Sequence, residues 1–369
     1  MTVDTILYIG GFMLPDKNAA AHRVLGNAKA LRALGYNVVF IDCNKECNEV
    51  LSSKSKCYGF DRWSMKYDYR RFVSIRALKN VYTNYSNVKY IIAYNYPSIA
   101  LVQMLKFAKK RSVKVIADVT EWYTAAGNNL INKTLKGMDS YYRMNILQKK
   151  VDGVIAISRY LYDYYNKYVK TIVVPPTVDA YDNKWNGIKT VEDEKVRLVY
   201  AGSPGKNKDK INYIIKALDE VSNNDYVMDV LGITVQKYLG YYPEDKDLLL
   251  RLKDKVFFHD VMPHTDVLNY IKKADFSIFY REKTRVTMAG FPTKFVESIS
   301  CGTPVITTRT SDLEDYLENG INGFFIDDIK SDLKRILQFD KRYLKAMKKN
   351  VDKYIFDYRK YIDEIRKVL

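Results

Sequence analysis

Short apolar runs of β type alternate along the chain with longer segments whose apolar residues recur at helical spacing. This is the pattern of parallel sheets covered by helices on both faces. In the first half the runs are Ile6–Ile9, Val38–Ile41, Tyr90–Ala93, Val113–Ala117, Gly153–Ile157 and Thr171–Val174. A second series opens at Arg197–Tyr200 and continues with Val227–Leu231, Val256–Phe258, Phe276–Phe279, Val305–Thr307 and Gly323–Ile326. Two successive series predict an α/β protein of two Rossmann-like, doubly wound domains facing each other across a cleft. The first is expected over residues 1–178 and ends at Pro175-Pro176-Thr177. A polar linker without apolar periodicity follows over 179–195, and the second domain over 196–345. A basic helical run, 346–369, is placed to pack back on the first domain.

A chain of 369 residues is too long for one compact core and suits two domains. With 47% hydrophobic and 28% charged residues it has the composition of a folded soluble protein. No stretch approaches the ~20 uncharged apolar residues of a membrane span. Met1-Thr2-Val3-Asp4 leads straight into a strand-like segment, so no signal peptide is expected and the predicted location is the cytoplasm. Cys43, Cys47, Cys57 and Cys301 lack the spacing of a zinc site and read as reduced thiols; no metal or cofactor is expected.

Charge divides the two halves. Residues 1–180 hold 27 Lys and Arg against 13 Asp and Glu, the remainder 33 against 30, within a net charge of +17. The excess gathers between Lys54 and Lys114, interleaved with aromatics in Arg62-Trp63, Lys66-Tyr67 and Tyr69-Arg70-Arg71. Such a surface suits an anionic membrane, where each nearby cation contributes about 1 kcal/mol. Nucleic acid draws on the same residue types, and a chain generally rich in lysine and tyrosine looks the same. The membrane is the expected partner and nucleic acid is not.

Candidate chemistry lies chiefly in the second half. In Ala289-Gly290-Phe291-Pro292-Thr293-Lys294-Phe295-Val296-Glu297, Pro292 suits the first position of a helix that Gly302 and Pro304 end. Its N-terminus with Thr293 offers free N–H groups and partial positive charge, to which Lys294 adds a full charge, making a seat for a diphosphate. Glu297, on the same face, can accept two hydrogen bonds from a ribose diol. The same residues also describe an ordinary amphipathic helix with a surface Lys–Glu pair. In the loop Gly202-Ser203-Pro204-Gly205-Lys206-Asn207-Lys208, the glycines permit close backbone approach to an anion and Lys206 and Lys208 neutralise it. The spacing is not that of a Walker loop. Arg281 and Arg285, after another strand, are further phosphate ligands, and Thr234 follows a strand where it could border a base.

These stretches, with Asp312–Asn322, Asp152–Ser158 and Pro175–Asp179, resemble glycosyltransferase family 4 over nearly the whole chain. The resemblance implies a GT-B fold and transfer of a sugar from a nucleotide-sugar donor, usually with retention, to a saccharide or lipid-linked saccharide in surface polysaccharide synthesis. It also implies that the Gly10-Gly11 loop closes over the donor phosphates. Two positions depart from the family's pattern: Ala289 stands where a second Glu contacts the donor sugar, and Ser203 where an Arg often follows the strand-end glycine. Relatives often place a His where this chain has Asp118-Val119-Thr120-Glu121, so Asp118 or Glu121 is the candidate to touch sugar or acceptor hydroxyl. An N-cap and a solvated carboxylate are the plainer roles for that pair. His22 is expected on the first helix, away from the reacting centre. Two other readings stand beside this one: a nucleotide-sugar epimerase of the same fold, and a non-catalytic protein that binds membrane or nucleic acid.

Overall fold

Thr5–Gly10 (β1) carries the apolar run Ile6–Ile9 and is buried at every position, as a strand covered on both faces must be. Around it, in chain order, form Asn37–Asn44 (β2), Ser55–Cys57 (β3), Phe60–Lys66 (β4), Val88–Tyr94 (β5), Lys114–Val119 (β6), Gly153–Ala156 (β7) and Thr171–Val173 (β8). The computed structural model describes residues 3–16, 18–68, 73–123, 130–187, 194–204, 209–221 and 225–369. These eight strands make one sheet in the order β3-β4-β2-β1-β5-β6-β7-β8, parallel throughout except for the β3–β4 pair. A second sheet joins Val196–Ala201 (β9), Tyr226–Leu231 (β10), Val256–His259 (β11), Phe276–Phe279 (β12), Val305–Thr307 (β13) and Gly323–Phe325 (β14). Its order is β11-β10-β9-β12-β13-β14, all parallel. In each sheet the winding reverses beside the first strand, between β1 and β5 and between β9 and β12, where open α/β sheets collect ligands.

The chain divides into two compact units. The first comprises the chain up to Asp179 with Ala289–Phe291 and Asp357–Leu369; the second comprises Ala180–Met288 and Pro292–Phe356. The basic run 346–369, expected as one helix, is not one. Lys341–Lys349 is a helix of the second unit, and Ile362–Val368 a helix of the first. Ile365 and Val368 are buried in the core of the first unit with Ile6, Tyr8, Ile116 and Ile155. Tyr90 donates from its hydroxyl to the Leu369 carbonyl at 3.1 Å. A Cβ at Gly153, on β7, would lie 2.5 Å from Val368 Cγ2, so glycine is what lets this helix seat on the sheet. The polar stretch 179–195, expected as a linker, contains the turn Asn183–Trp185, and Trp185 is buried in the second unit.

β3 and β4 are absent from the sequence expectation, and they alter the reading of the basic region. Arg62 donates from Nε and Nη2 to Asp42 Oδ2 at 3.2 and 2.8 Å, and Lys54 and Lys56 lie 2.7 and 2.6 Å from the Asp61 carboxylate. Three cations assigned to an exposed patch are thus already paired. Tyr69-Arg70-Arg71 lies outside the described residues. Among the described residues, no helix is long and apolar enough to cross a membrane.

Candidate functional site

The second unit gathers its charge at the reversal of its own sheet. β9 ends at Ala201, and Gly202 follows with φ of +126°, a conformation only glycine adopts without strain. Gly232, after β10, also has positive φ, and a Cβ there would come within 3.0 Å of the Gly202 backbone. Two strand ends therefore approach closely because neither carries a side chain. The chain past β9 is pinned to the end of β12 by a hydrogen bond from Lys210 N to Tyr280 O at 2.9 Å.

Between these loops lies Asp209, only 2% exposed. Its Oδ1 accepts from Arg281 Nε at 2.6 Å, and its Oδ2 accepts from Lys294 Nζ and, at 2.8 Å, from the Tyr200 hydroxyl. Burial alone would raise this carboxyl, but the charges of Lys294 and Arg281 outweigh it and hold Asp209 well below the usual carboxylate range. Burial first, and then Asp209 itself, push the Tyr200 phenol well up, so it stays a neutral donor. The Lys294 ammonium stands 3.8 Å from the centre of the Tyr200 ring. A Cβ at Gly202 would lie 3.6 Å from the same ammonium, so the glycine backbone borders the cationic cluster directly.

Lys294 comes from the helix Thr293–Ser300, where Pro292 occupies the capping position rather than the first helical one. Phe295, Val296 and Ile299 bury its inner face. Glu297 is partly exposed and lies 3.2 Å through Oε1 from His264 Nε2, a partner that sequence reasoning missed. Asp209 was missed too, although it lies within the lysine-rich loop itself.

The other expected residues are distributed as follows. Ser203 is exposed after Gly202, while Gly205, Lys206 and Lys208 lie outside the described residues. Arg285 is exposed at the start of the helix Arg285–Ala289, and Thr234 caps the helix Val235–Tyr241 by accepting from Lys237 N at 3.2 Å. Ala289 is fully buried, and its carbonyl accepts from Ser158 Oγ at 2.7 Å within the first unit. Gly10 and Gly11 line a cavity of the first unit together with Tyr94, Asn95, Tyr123 and Arg143. His22 lies on the helix Ala19–Ala33.

Asp118 is corrected by the structure. It is fully buried, its Oδ1 accepts from Arg23 Nε and Nη2 at 2.9 and 2.7 Å, and its Oδ2 accepts from the Tyr8 hydroxyl at 2.5 Å. Arg23 Nη1 donates to Val174 O at 2.7 Å. A carboxylate enclosed and bonded in this way anchors the first helix to the sheet and has no face left for a sugar. Glu121, just beyond β6, is half-buried, and its charge acts on the phenols of Tyr94 and Tyr123.

A parallel sheet that reverses beside β9, with Asp209, Arg281 and Lys294 buried together at the reversal, places this cluster where open α/β sheets collect ligands. Residues 182–352 match the family model described as glycosyl transferases group 1. The fold is that of sucrose-phosphate synthase from Thermosynechococcus elongatus, with 14% identity and a TM-score of 0.71 over 99% of this chain and 98% of that one. It is also that of Anabaena HepE in complex with UDP and glucose, with 15% identity and a TM-score of 0.65 over 99% of this chain and 100% of that one. An Escherichia coli trehalose-6-phosphate structure bound with UDP-2-fluoro glucose has 9% identity and a TM-score of 0.64 over 98% and 97%. No curated protein matches the chain in sequence. The chain is a glycosyltransferase enzyme with the GT-B fold.

Proposed function

We propose that this glycosyltransferase is a family 4 enzyme that takes its sugar from a nucleoside diphosphate sugar held by the second unit. The acceptor, on the first unit, is a saccharide or lipid-linked saccharide of surface polysaccharide synthesis. The observation that carries this reading is the cluster of Lys294, Arg281 and Asp209 beside Gly202, with Glu297 three residues along the same helix. The diphosphate lies on Gly202, Ser203 and Thr293, charge-neutralised by Lys294, Arg281 and Arg285 and by Lys206 and Lys208 of the same loop. Glu297 accepts from the ribose diol, and Thr234 borders the base. That solved structures of this fold carry UDP supports a uridine nucleotide as the first probe.

Transfer proceeds with retention. The bond from the anomeric carbon to the diphosphate oxygen breaks while the acceptor oxygen bonds the same face. The acceptor proton passes to the departing diphosphate. Lys294 and Arg281 act where negative charge grows on the leaving group, which is how preorganised cations lower such barriers. No metal or further cofactor takes part in this scheme. Glu121 orients the acceptor hydroxyl.

The enzyme works at the cytoplasmic face of a membrane. Lys79, Lys106, Lys110 and Arg111 line one surface groove of the first unit, with the Arg111 guanidinium 4.0 Å from the centre of the Phe107 ring. That groove, rather than the paired Lys54, Lys56 and Arg62, is the surface for anionic lipid. Titration calorimetry with UDP and UDP-sugars tests the donor site: binding that Lys294→Ala abolishes is expected, and equal binding by that variant overturns it.

A further inference from the structure

The cavity of the first unit holds a charge that the donor reading does not use. It measures about 230 Å³ and opens where β1, β4 and β5 end. Arg143 lines it, in the wide π-helical turn Arg143–Leu147 that follows the helix Leu130–Tyr142. Such turns are frequent at functional sites. Arg143 is only 5% exposed. Its Nη1 donates to the Asn95 carbonyl at 3.1 Å, and the guanidinium stands 4.3 Å from the centre of the Tyr123 ring. Its Nε is buried and has no hydrogen-bond partner.

A buried donor left unmade costs free energy, and more so on a charged group. The carboxylate that pairs with this guanidinium leaves its Nε without a hydrogen bond. Asp139 Oδ2 forms an ion pair with Nη1 at 3.9 Å, too long for a hydrogen bond, while Asp139 Oδ1 accepts from Ser98 N at 2.8 Å. The charge of Glu121 acts on the Tyr123 phenol. Asn95 is held for its task. It adopts φ of +43°, its Nδ2 donates to Thr120 Oγ1 at 2.6 Å, and its Oδ1 accepts from Thr120 N at 3.2 Å. That bracing fixes the carbonyl that orients Arg143.

We propose that Arg143 is an acceptor-recognition residue: its guanidinium binds an oxyanion, phosphate or carboxylate, carried by the acceptor, while Tyr94 and Tyr123 flank the attached sugar ring. The assignment rests on the acceptor lying on the first unit. A planar guanidinium with one unsatisfied N–H matches an oxyanion better than a hydroxyl, because the hydrogen bond is then charge-assisted. The acceptor of this enzyme is an anionic saccharide, either phosphorylated or a uronic acid.

Titration calorimetry on the full chain tests this with glucose 6-phosphate, glucuronate and glucose as probes. The parent is expected to bind one of the anionic sugars at least about tenfold more tightly than glucose. Phosphate preference identifies a phosphorylated acceptor and glucuronate preference a uronic acid. Arg143→Met removes the preference, and Arg143→Lys, which keeps charge but loses the fork, weakens it. UDP affinity unchanged in both variants shows that the second unit is intact, and Lys294→Ala keeps the preference because the anion is not on the donor cluster. Equal binding of charged and neutral sugars by the parent, or a preference that survives Arg143→Met, overturns the proposal. A preference lost in Lys294→Ala instead overturns it by moving the anion to the donor cluster. Absence of UDP binding with the anion preference intact would remove the donor reading and leave this one standing.

Discussion

Replacing Asp209 by Asn isolates the electrostatics of the donor cluster. Asparagine keeps the shape and one carbonyl acceptor but cancels the charge shared by Lys294 and Arg281, whose side chains are 11% and 6% exposed. Removing one partner of a buried ion pair costs about 3–5 kcal/mol, and the hydrogen bond that the amide retains offsets about 1–2 of it. A net loss of about 1–4 kcal/mol lowers the Tm of a unit of this size by about 2–16 °C. The pH dependence has a fixed sign. The folded carboxyl lies below its unfolded value, so its stabilisation is fully present above the ordinary carboxylate pKa near about 4 and is lost as pH falls toward the folded value. The gap between parent and variant should thus be widest at neutral pH and shrink as the pH drops below about 4. A nucleoside diphosphate supplies the missing negative charge, so UDP should raise the Tm of Asp209→Asn more than that of the parent. Differential scanning calorimetry with and without UDP measures all three effects. A variant that melts within about 1 °C of the parent at pH 7, with an equal response to UDP, would refute the cluster's role.

Other consequences are as direct. Glu297→Ala should lower UDP affinity at least about tenfold, or about 1.4 kcal/mol, with Tm nearly unchanged; calorimetric affinity equal to the parent's removes Glu297 from the ribose. Gly153→Ala forces its new methyl onto Val368 and should cost about 1–3 kcal/mol. Hydrogen exchange should report it as lost protection across Ile362–Val368, and unaltered protection would contradict the seating described. Cys301 is buried and its thiol is pushed up by that burial to about 12, so alkylation of the folded protein at pH 8 should spare it while labelling half-buried Cys47; mass spectrometry showing Cys301 labelled first would be inconsistent with this burial. Reversing Lys106, Lys110 and Arg111 to Glu should reduce co-sedimentation with vesicles containing anionic lipid and leave neutral vesicles unaffected; unchanged sedimentation would dismiss the groove as a membrane surface.

What the sequence made legible follows from how each strand is buried. Twelve runs, from Ile6–Ile9 to Gly323–Ile326, belong to parallel strands, most of them covered on both faces, and such strands read as continuous apolar segments. β4 does not, because Phe60-Asp61-Arg62-Trp63-Ser64-Met65-Lys66 mixes charges with apolar residues. Those charges are tolerated in a sheet only because Asp42, twenty residues earlier, meets Arg62, and because Asp61 meets Lys54 and Lys56. Sequence spacing displays the cations and hides which carboxylate each will meet. The same blindness worked in both directions at the candidate sites. Asp118, at a strand end, has the position of a ligand-facing carboxylate until Arg23, ninety-five residues away, is brought against it. Asp209 stands among lysines that invite a phosphate, yet it is the residue that aligns Lys294 and Arg281 from seventy or more residues beyond. Arg143 had no signal at all, since neither its π turn nor the left-handed Asn95 that holds it leaves a mark in composition or periodicity. Cation-rich loops therefore set the sign of the ligand, whereas the buried carboxylates set which cations remain to bind it. At Asp209 two cations share one carboxylate, so the cluster keeps a single net positive charge, the charge that the proposed diphosphate would meet.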